Sequence, residues 1–312
     1  MDGYVITYQG ESYKLPVVLS WDIKHGMGSP CDAFEITVPY DFSMQKTLED
    51  AVRFRGDYQG KTVFFGVVDE VEIFADKKGS RATIRGRSLA ALLLDNEAEA
   101  AEYSFASPDF IINRHIRPWG IEKIQLGEAK ALPFYTIAAG ASSFRVIEDY
   151  FYFAGGIRPR FSREGVLILD NSDGDEFELD MKTAMSSLRY KITRYGVISS
   201  VLVKNKVLGI NSLVEDAEFK ARGGKCHRVL GVPRNKNAQT MRHTGEYQIK
   251  RSKEGAVTLE LSLIELFAAF PADIIHLKNS PIGLSGKFRV IEARCRADAQ
   301  SATTRLVLEP IA

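Results

Sequence analysis

Cysteine is scarce in this chain: three residues among 312, Cys31, Cys226 and Cys295, lie far apart and share no Cys-x-x-Cys spacing. A disulfide-framed scaffold or a structural zinc site is therefore disfavoured; free thiols in a reducing compartment are expected, a single disulfide being the other option. Histidine is as sparse. His25, His115, His227, His243 and His276 are scattered, with no pair at i, i+4 and no HExxH helix. Cys226 and His227 are neighbours, and adjacent side chains in a strand point apart, which argues against a Cys–His nucleophilic pair. The chain also lacks the GxxxxGK phosphate loop, the GxSxG elbow and a strand–GxGxxG–helix unit, so no nucleotide, acyl-transfer or dinucleotide chemistry is indicated. No apolar run approaches the ~18 residues of a spanning helix. The opening MDGYVITYQGE has neither the basic nor the apolar region of a signal peptide. These two features predict synthesis in the cytoplasm without membrane insertion. Charge of one sign is missing too: 41 Lys and Arg against 40 Asp and Glu give +1, no global reason to expect nucleic acid or an acidic membrane.

What is present is an ordinary globular composition, 45% hydrophobic and 26% charged, on a chain long enough for two or three domains. The stretch from Lys61 to Asn96 organises the reading. Polar and apolar residues alternate from Glu70 to Ala75, with Val71 and Ile73 on one face. Asp76-Lys77-Lys78-Gly79 supplies a turn, and Ala82 and Ile84 alternate with Arg81, Thr83 and Arg85 on the return. Period two around a turn predicts a half-buried antiparallel hairpin. Gly86 then ends the strand, and Ser88 caps a short Leu-rich helix from about Leu89. Strands are predicted upstream at 4–8, 13–23, 33–40 and 51–55, with a glycine-rich loop over 24–30, making 1–98 a first β-rich domain. Residues 99–180 read as a small α/β domain: a Ser107-capped helix with Pro108 in its first turn, a helix over 143–153, and a hairpin over 158–170. Residues 181–312 read as a second β-rich domain, with strands at 189–206, 257–263, 274–277, 287–297 and 304–308 and a basic, irregular insertion at about 212–253. One internal echo stands out. Phe65, Val67, Val68, Asp69, Ala75, Asp76 and Ile84 reappear as Phe288, Val290, Ile291, Glu292, Ala297, Asp298 and Leu306, with one residue shifted, and suggest a duplicated hairpin.

Weighed singly, the chemically suggestive residues favour structure. The acidic run Asp170–Glu176 misses the alternate-position spacing of a calcium loop and reads as a solvated turn. Glu70 and Glu72 share a strand face and could be offered as glycosidase carboxylates, yet exposed strands carry such charges routinely. The basic residues of 217–253, among them Lys220, Arg222, Arg228, Arg234, Lys236 and Arg251, lack interleaved aromatics apart from Phe219 and Tyr247, and fit a solvated or protein-facing loop better than a nucleic-acid surface. No cofactor and no metal site is expected. Elimination leaves a structural or binding role.

Three runs name a role: 29–36 (SPCDAFEI), 63–69 (VFFGVVD) and 86–96 (GRSLAALLLDN). They resemble the baseplate hub proteins of contractile phage tails, the Mu-like tail hub family in particular. The IRPWG turn at 116–120, residues 155–167, and the segment 282–290 (IGLSGKFRV) fit the same pattern. The resemblance implies a mainly β protein with an α/β insert. Two related β-barrel-like tube domains would form a pseudo-hexameric ring in a homotrimer. It implies a non-enzymatic symmetry adaptor between a hexameric tail tube and a trimeric tail spike, located in the virion tail baseplate, with neighbouring baseplate and tape-measure proteins as further partners. The strands carrying Val71, Ile73, Ile84, Val290, Cys295 and Leu306 are the expected ring or partner interface. The competing readings are another tube-fold component of a contractile injection system, a tail-associated cell-wall hydrolase, and a nucleic-acid binder acting through the basic segment.

Overall fold

The computed structural model describes residues 1–27, 31–232 and 238–311. Gly28, Ser29 and Pro30 of the glycine-rich loop, and Arg234 and Lys236 of the basic segment, lie outside the described residues. The chain divides into two compact units: Met1–Ser187 with Leu261–Val307, and Leu188–Glu260 with the C-terminal residues from Leu308.

The first unit begins β1 (Asp2–Thr7), β2 (Ser12–Lys14), β3 (Ser20–Gly26), β4 (Ala33–Pro39), α1 (Gln45–Glu49), β5 (Ala51–Tyr58), β6 (Lys61–Asp76), β7 (Gly79–Ser88) and α2 (Ala91–Leu94). An insert follows: β8 (Ala101–Tyr103), α3 (Pro108–His115), β9 (Ile124–Leu126), β10 (Tyr135–Ile137), α4 (Ser143–Gly155), β11 (Arg160–Phe161) and β12 (Leu167–Leu169). The chain continues through β13 (Glu176–Asp180), α5 (Met181–Ala184) and β14 (Met185–Ile192). The second unit holds β15 (Ser200–Asn205), β16 (Ile210–Glu215), α6 (Ala217–Ala221), β17 (His227–Gly231) and α7 (Ala238–Lys253). The remaining strands are β18 (Val257–Leu263), β19 (Ile274–Lys278), β20 (Gly286–Ala297) and β21 (Ala302–Pro310).

Alternation builds the main sheet. In β4, Phe34, Ile36 and Val38 point inward while Glu35 and Thr37 point out, and in β7 Ala82 and Ile84 point inward against Thr83 and Arg85. The strands run β21-β20-β3-β4-β7-β6-β5-β1-β2, and β19 joins β20 antiparallel while pairing β13 in parallel. Among the described strands the sheet stays open, so the fold is mainly β with an α/β insert but contains no closed barrel. Its inner face buries Val5, Ile23, Phe34, Ile36, Val38, Phe54, Phe64, Ala82 and Ile84. Phe34 stacks on Phe54 with ring centroids 4.2 Å apart.

Gly86 does not end its strand. It lies inside β7 opposite Val68, where a Cβ would stand 1.9 Å from the Val67 carbonyl oxygen and 2.6 Å from the Phe34 ring. Ser88 does not cap α2 either: its hydroxyl accepts the Asp32 N–H at 3.2 Å, while the residue at the cap position is Ala90, with no side-chain bond. Both residues are engaged by tertiary neighbours that local sequence cannot reveal.

The insert has its own core of Ile111, Ile112, Ile116, Phe144, Ile147, Tyr150, Phe151, Leu167 and Leu169. Ser107 caps α3 by accepting the Phe110 N–H, with Pro108 at its first turn, and Ser142 caps α4 by accepting the Arg145 N–H. Gly156 closes α4 in the left-handed region at φ 65°.

In the second unit the described part of the segment 212–253 is not irregular. The strand order is β16-β15-β17, with α7 on one face. Val201 and Val203 pack under Met241 and Ile249 of α7. Helix and sheet meet so closely at Gly245 that a Cβ there would fall 2.6 Å from the Val214 side chain.

Candidate functional site

The outward face of the first unit's sheet is polar, and its charges are matched strand by strand. Asp22 on β3 stands opposite Glu35 on β4, a like-charge pair that would destabilise the sheet if left alone. Arginines on the flanking strands neutralise both. Arg294 donates to the two oxygens of Asp22 at 2.8 and 2.6 Å and Arg296 to one of them at 2.5 Å, while Arg85 on β7 donates to Glu35 at 2.7 Å. Arg85 also donates to Glu70 and Glu72 on β6 at 2.5 and 3.0 Å, and Arg87 forms forked bonds to Asp69 and Asp95. Burial works against ionisation of Asp22, but the hydrogen bonds and charges of Arg294 and Arg296 outweigh it and hold the carboxyl below its ordinary range. The face is thus wettable, mixed in sign and cross-linked across five strands. Glu70 and Glu72 serve it as acceptors for one guanidinium.

The hairpin β6–β7 extends beyond its neighbour on one side. β5 pairs with β6 only over Lys61–Val67, whereas β6 pairs with β7 out to Asp76, so the distal β6 edge has no strand partner among the described residues. Val71 faces Ile84, and Ile73 faces Ala82. Ile84 is fully buried, Val71 half-buried, and Ile73 and Phe74 are each 45% exposed, with Arg81 stacked over the Phe74 ring. On the other hairpin, Val290 of β20 and Leu306 of β21 are fully buried. Cys295 is half-buried, its sulfur 3.7 Å from the Phe267 carbonyl and from the Thr304 hydroxyl. Of the six residues expected at an interface, Ile73 alone is an exposed side chain; Ile84, Val290 and Leu306 lie in the core.

Catalytic geometry is thin. His25 is buried between Phe64 and Phe270, its Nδ1 3.3 Å from Asp32 and its Nε2 3.0 Å from the Val63 carbonyl, so both ring nitrogens are taken up by structure. Burial pushes the Cys31 thiol up to about 11, with the Ser88 hydrogen bond a smaller counterweight, and this disfavours a thiolate nucleophile. Ser200 Oγ lies 2.8 Å from His227 Nδ1, but no carboxylate holds the other ring nitrogen among the described residues, as a triad requires. Among the described residues no three His, Cys, Asp or Glu converge on a metal-sized site. The acidic run 170–176 is tied down by Arg160, which donates to the Asp170 and Ser172 carbonyls, and by Arg289, which binds Asp173. No described helix is long and apolar enough to cross a membrane.

Two surfaces escaped the sequence reading. The β15–β16 turn, Lys206-Val207-Leu208-Gly209, displays Val207 at 62% and Leu208 at 48% exposure, where a turn ordinarily shows polar residues. The Asn205 side chain holds this turn by accepting both the Val207 and Leu208 N–H groups, and Gly209 takes φ 66°. The Asn205 and Gly209 bracketing was the available signal, masked by aliphatics that extend the strand pattern. In the first unit, Glu97, Glu99, Phe110, Arg114, Pro118 and Trp119 line an open groove whose floor is set by the Trp119 indole N–H donating to Ser143 at 3.1 Å.

No family model matches this sequence, and no curated protein matches it. Solved structures do. The 43 kDa tail protein of prophage MuSo2 from Shewanella oneidensis superposes with a TM-score of 0.78 at 16% identity, covering 99% of this chain and 98% of that one. The tail protein from Neisseria meningitidis MC58 gives 0.79 at 15% identity, covering 99% and 96%. An E. coli component of the type VI secretion system, itself described as similar in structure to the T4 bacteriophage tail proteins gp27 and gp5, gives 0.59 at 13% identity, covering 95% and 74%. The chain therefore has the fold of these proteins over essentially its whole length.

Proposed function

We propose that this protein is a structural component of a phage-type tail baseplate, and within it the hub: a homotrimeric symmetry adaptor joining a six-fold tail tube to a three-fold spike. The observation that carries the reading is the end-to-end likeness of fold to two tail proteins, one of them from a prophage. Its location is then the virion tail, with neighbouring baseplate proteins as partners. The domains at 1–98 and 181–312 are descendants of one tube module, the hairpins β6–β7 and β20–β21 being its repeated part. Ile84 and Leu306, matched in the echo, are both fully buried, which agrees with that pairing. The ion-paired sheet face suits the wall of a water-filled channel, because its charges are satisfied within the sheet and do not attract a fixed ligand. The open edge of β6 suits a subunit boundary, since an unpaired strand edge invites a strand from another chain.

The test is the solution mass by light scattering across a dilution series, alone and co-expressed with the adjacent tail proteins. Three 34.8 kDa chains give a particle of about 104 kDa. A chain that stays monomeric even beside those partners overturns the hub. The type VI likeness favours a second reading, the tube-fold half of a spike, which predicts stable capture of a separate spike protein in place of a free trimer.

A further inference from the structure

Charge is divided unevenly between the two units. Residues Leu188–Glu260 and Leu308–Ala312 carry 15 Lys and Arg against 7 Asp and Glu, a formal +8, which leaves −7 on the first unit. The near-neutral total conceals this. On the basic unit, one exposed apolar tip is the Val207-Leu208 turn, with Lys206 in the turn and Lys204 two residues before it; neither lysine has an ion-pair partner among the described residues. On the acidic unit, the IRPWG turn and α3 supply a groove: Phe110, Pro118 and Trp119 give apolar walls, Glu97 and Glu99 two carboxylates, and Arg114 one cation. Glu97 has no ion-pair partner among the described residues, and Glu99 has only Arg114 at 3.7 Å.

We infer that the Val207-Leu208 turn of one copy inserts into the Glu97/Glu99/Phe110/Trp119 groove of a neighbouring copy, with Lys204 and Lys206 facing the two glutamates. The inference rests on the homotrimer proposed above and names a surface for it. The contact is heterologous, a protrusion on one unit meeting a groove on another, and such contacts close into rings when the rotation permits. The turn is suited to the task because Asn205 fixes its backbone before contact, so little conformational freedom remains to be lost on docking. Two aliphatic side chains fall well short of a standard interface of roughly 1,600 Å². The contact therefore sets orientation and adds affinity alongside the strand edges.

The experiment is light scattering of the full chain over a dilution series, with circular dichroism to verify folding. V207D/L208D alters only exposed side chains, so its spectrum and melting are expected to match the parent. Its trimer should dissociate at a concentration higher by at least roughly tenfold, the scale of one aliphatic side chain left unburied. K204E/K206E and E97K/E99K should each weaken the trimer, and the four changes combined in one chain should restore it. Parental trimer stability in folded V207D/L208D, or no recovery in the combined variant, overturns the docking while leaving the hub reading intact. A parent chain that never trimerises, even co-expressed with the adjacent tail proteins, overturns the hub reading and the docking with it. A parent that retains duplex DNA, lost in K204E/K206E with the trimer unchanged, assigns the turn to nucleic acid and overturns the docking.

Discussion

Asp22 shows how one residue links the sheet to solution conditions. Its folded-state carboxyl titrates below the ordinary range, so its contribution to stability is present above the unfolded value and is lost as pH falls through the folded one. Asp22→Asn should cost about 1 kcal/mol at neutral pH, a modest figure because the pair is partly solvated. In urea melts the gap between variant and parent should close as pH drops below the carboxylate range; a gap independent of pH would remove the ion pairs from the account. Gly86 makes a harder steric demand. Gly86→Ala places a methyl against the Val67 carbonyl and the Phe34 ring and should cost about 3 kcal/mol, read as a lowered melting temperature. Among the thiols, Cys31 and Cys295 are both pushed upward chiefly by burial. Ellman's reagent at pH 7.5 should therefore titrate them slowly in the native protein and rapidly in guanidinium. Fast native labelling of Cys31 would contradict its burial.

At the scale of elements, proline substitutions at Ile73 and Cys295 should behave differently, because the two strands are paired differently. Ile73 lies on the part of β6 that pairs only with β7, so Ile73→Pro should leave the monomer folded and lower trimer content on light scattering. Cys295 lies on β20 between β3 and β21, so Cys295→Pro should prevent folding altogether, read as loss of the native dichroism spectrum. The hairpin was legible because polar and apolar residues alternate on both sides of a turn, Phe74 being the exception, and the Ser107-Pro108 cap because its chemistry is local. The ends of β7 and the order within 212–253 were not. Gly86 and Ser88 look like punctuation but answer to Phe34 and Asp32, more than fifty residues away. The second unit pairs β15 with β17 in parallel, with β16 and α6 between them in the chain, and a pairing across that distance leaves no local signal.

At the scale of the whole molecule, a total charge of +1 was a misleading summary. Dividing the chain by its folded units turns it into +8 and −7. Association through those units should weaken with salt, since exposed charges more than a Debye length of ~8 Å apart are screened at physiological ionic strength. Raising NaCl from 50 to 500 mM should lower the trimer fraction on light scattering at a fixed low concentration; a salt-independent mass would point to purely apolar joints.

The sequence by itself determined the local terms: which faces alternate, where serine and proline start helices, where turns fall, and that familiar catalytic motifs are missing. Those follow from backbone geometry and side-chain period, which act within a few residues. Tertiary structure alone decided that the sheet stays open, that Ile84, Val290 and Leu306 are core while Ile73 is surface, and that Asp22 finds Arg294 across 272 positions of chain. It also placed Val207 and Leu208 at an exposed tip and gathered Glu97, Phe110 and Trp119 into one groove. Each of these depends on which strands become neighbours, and register between distant strands is settled by the burial of one whole face at once.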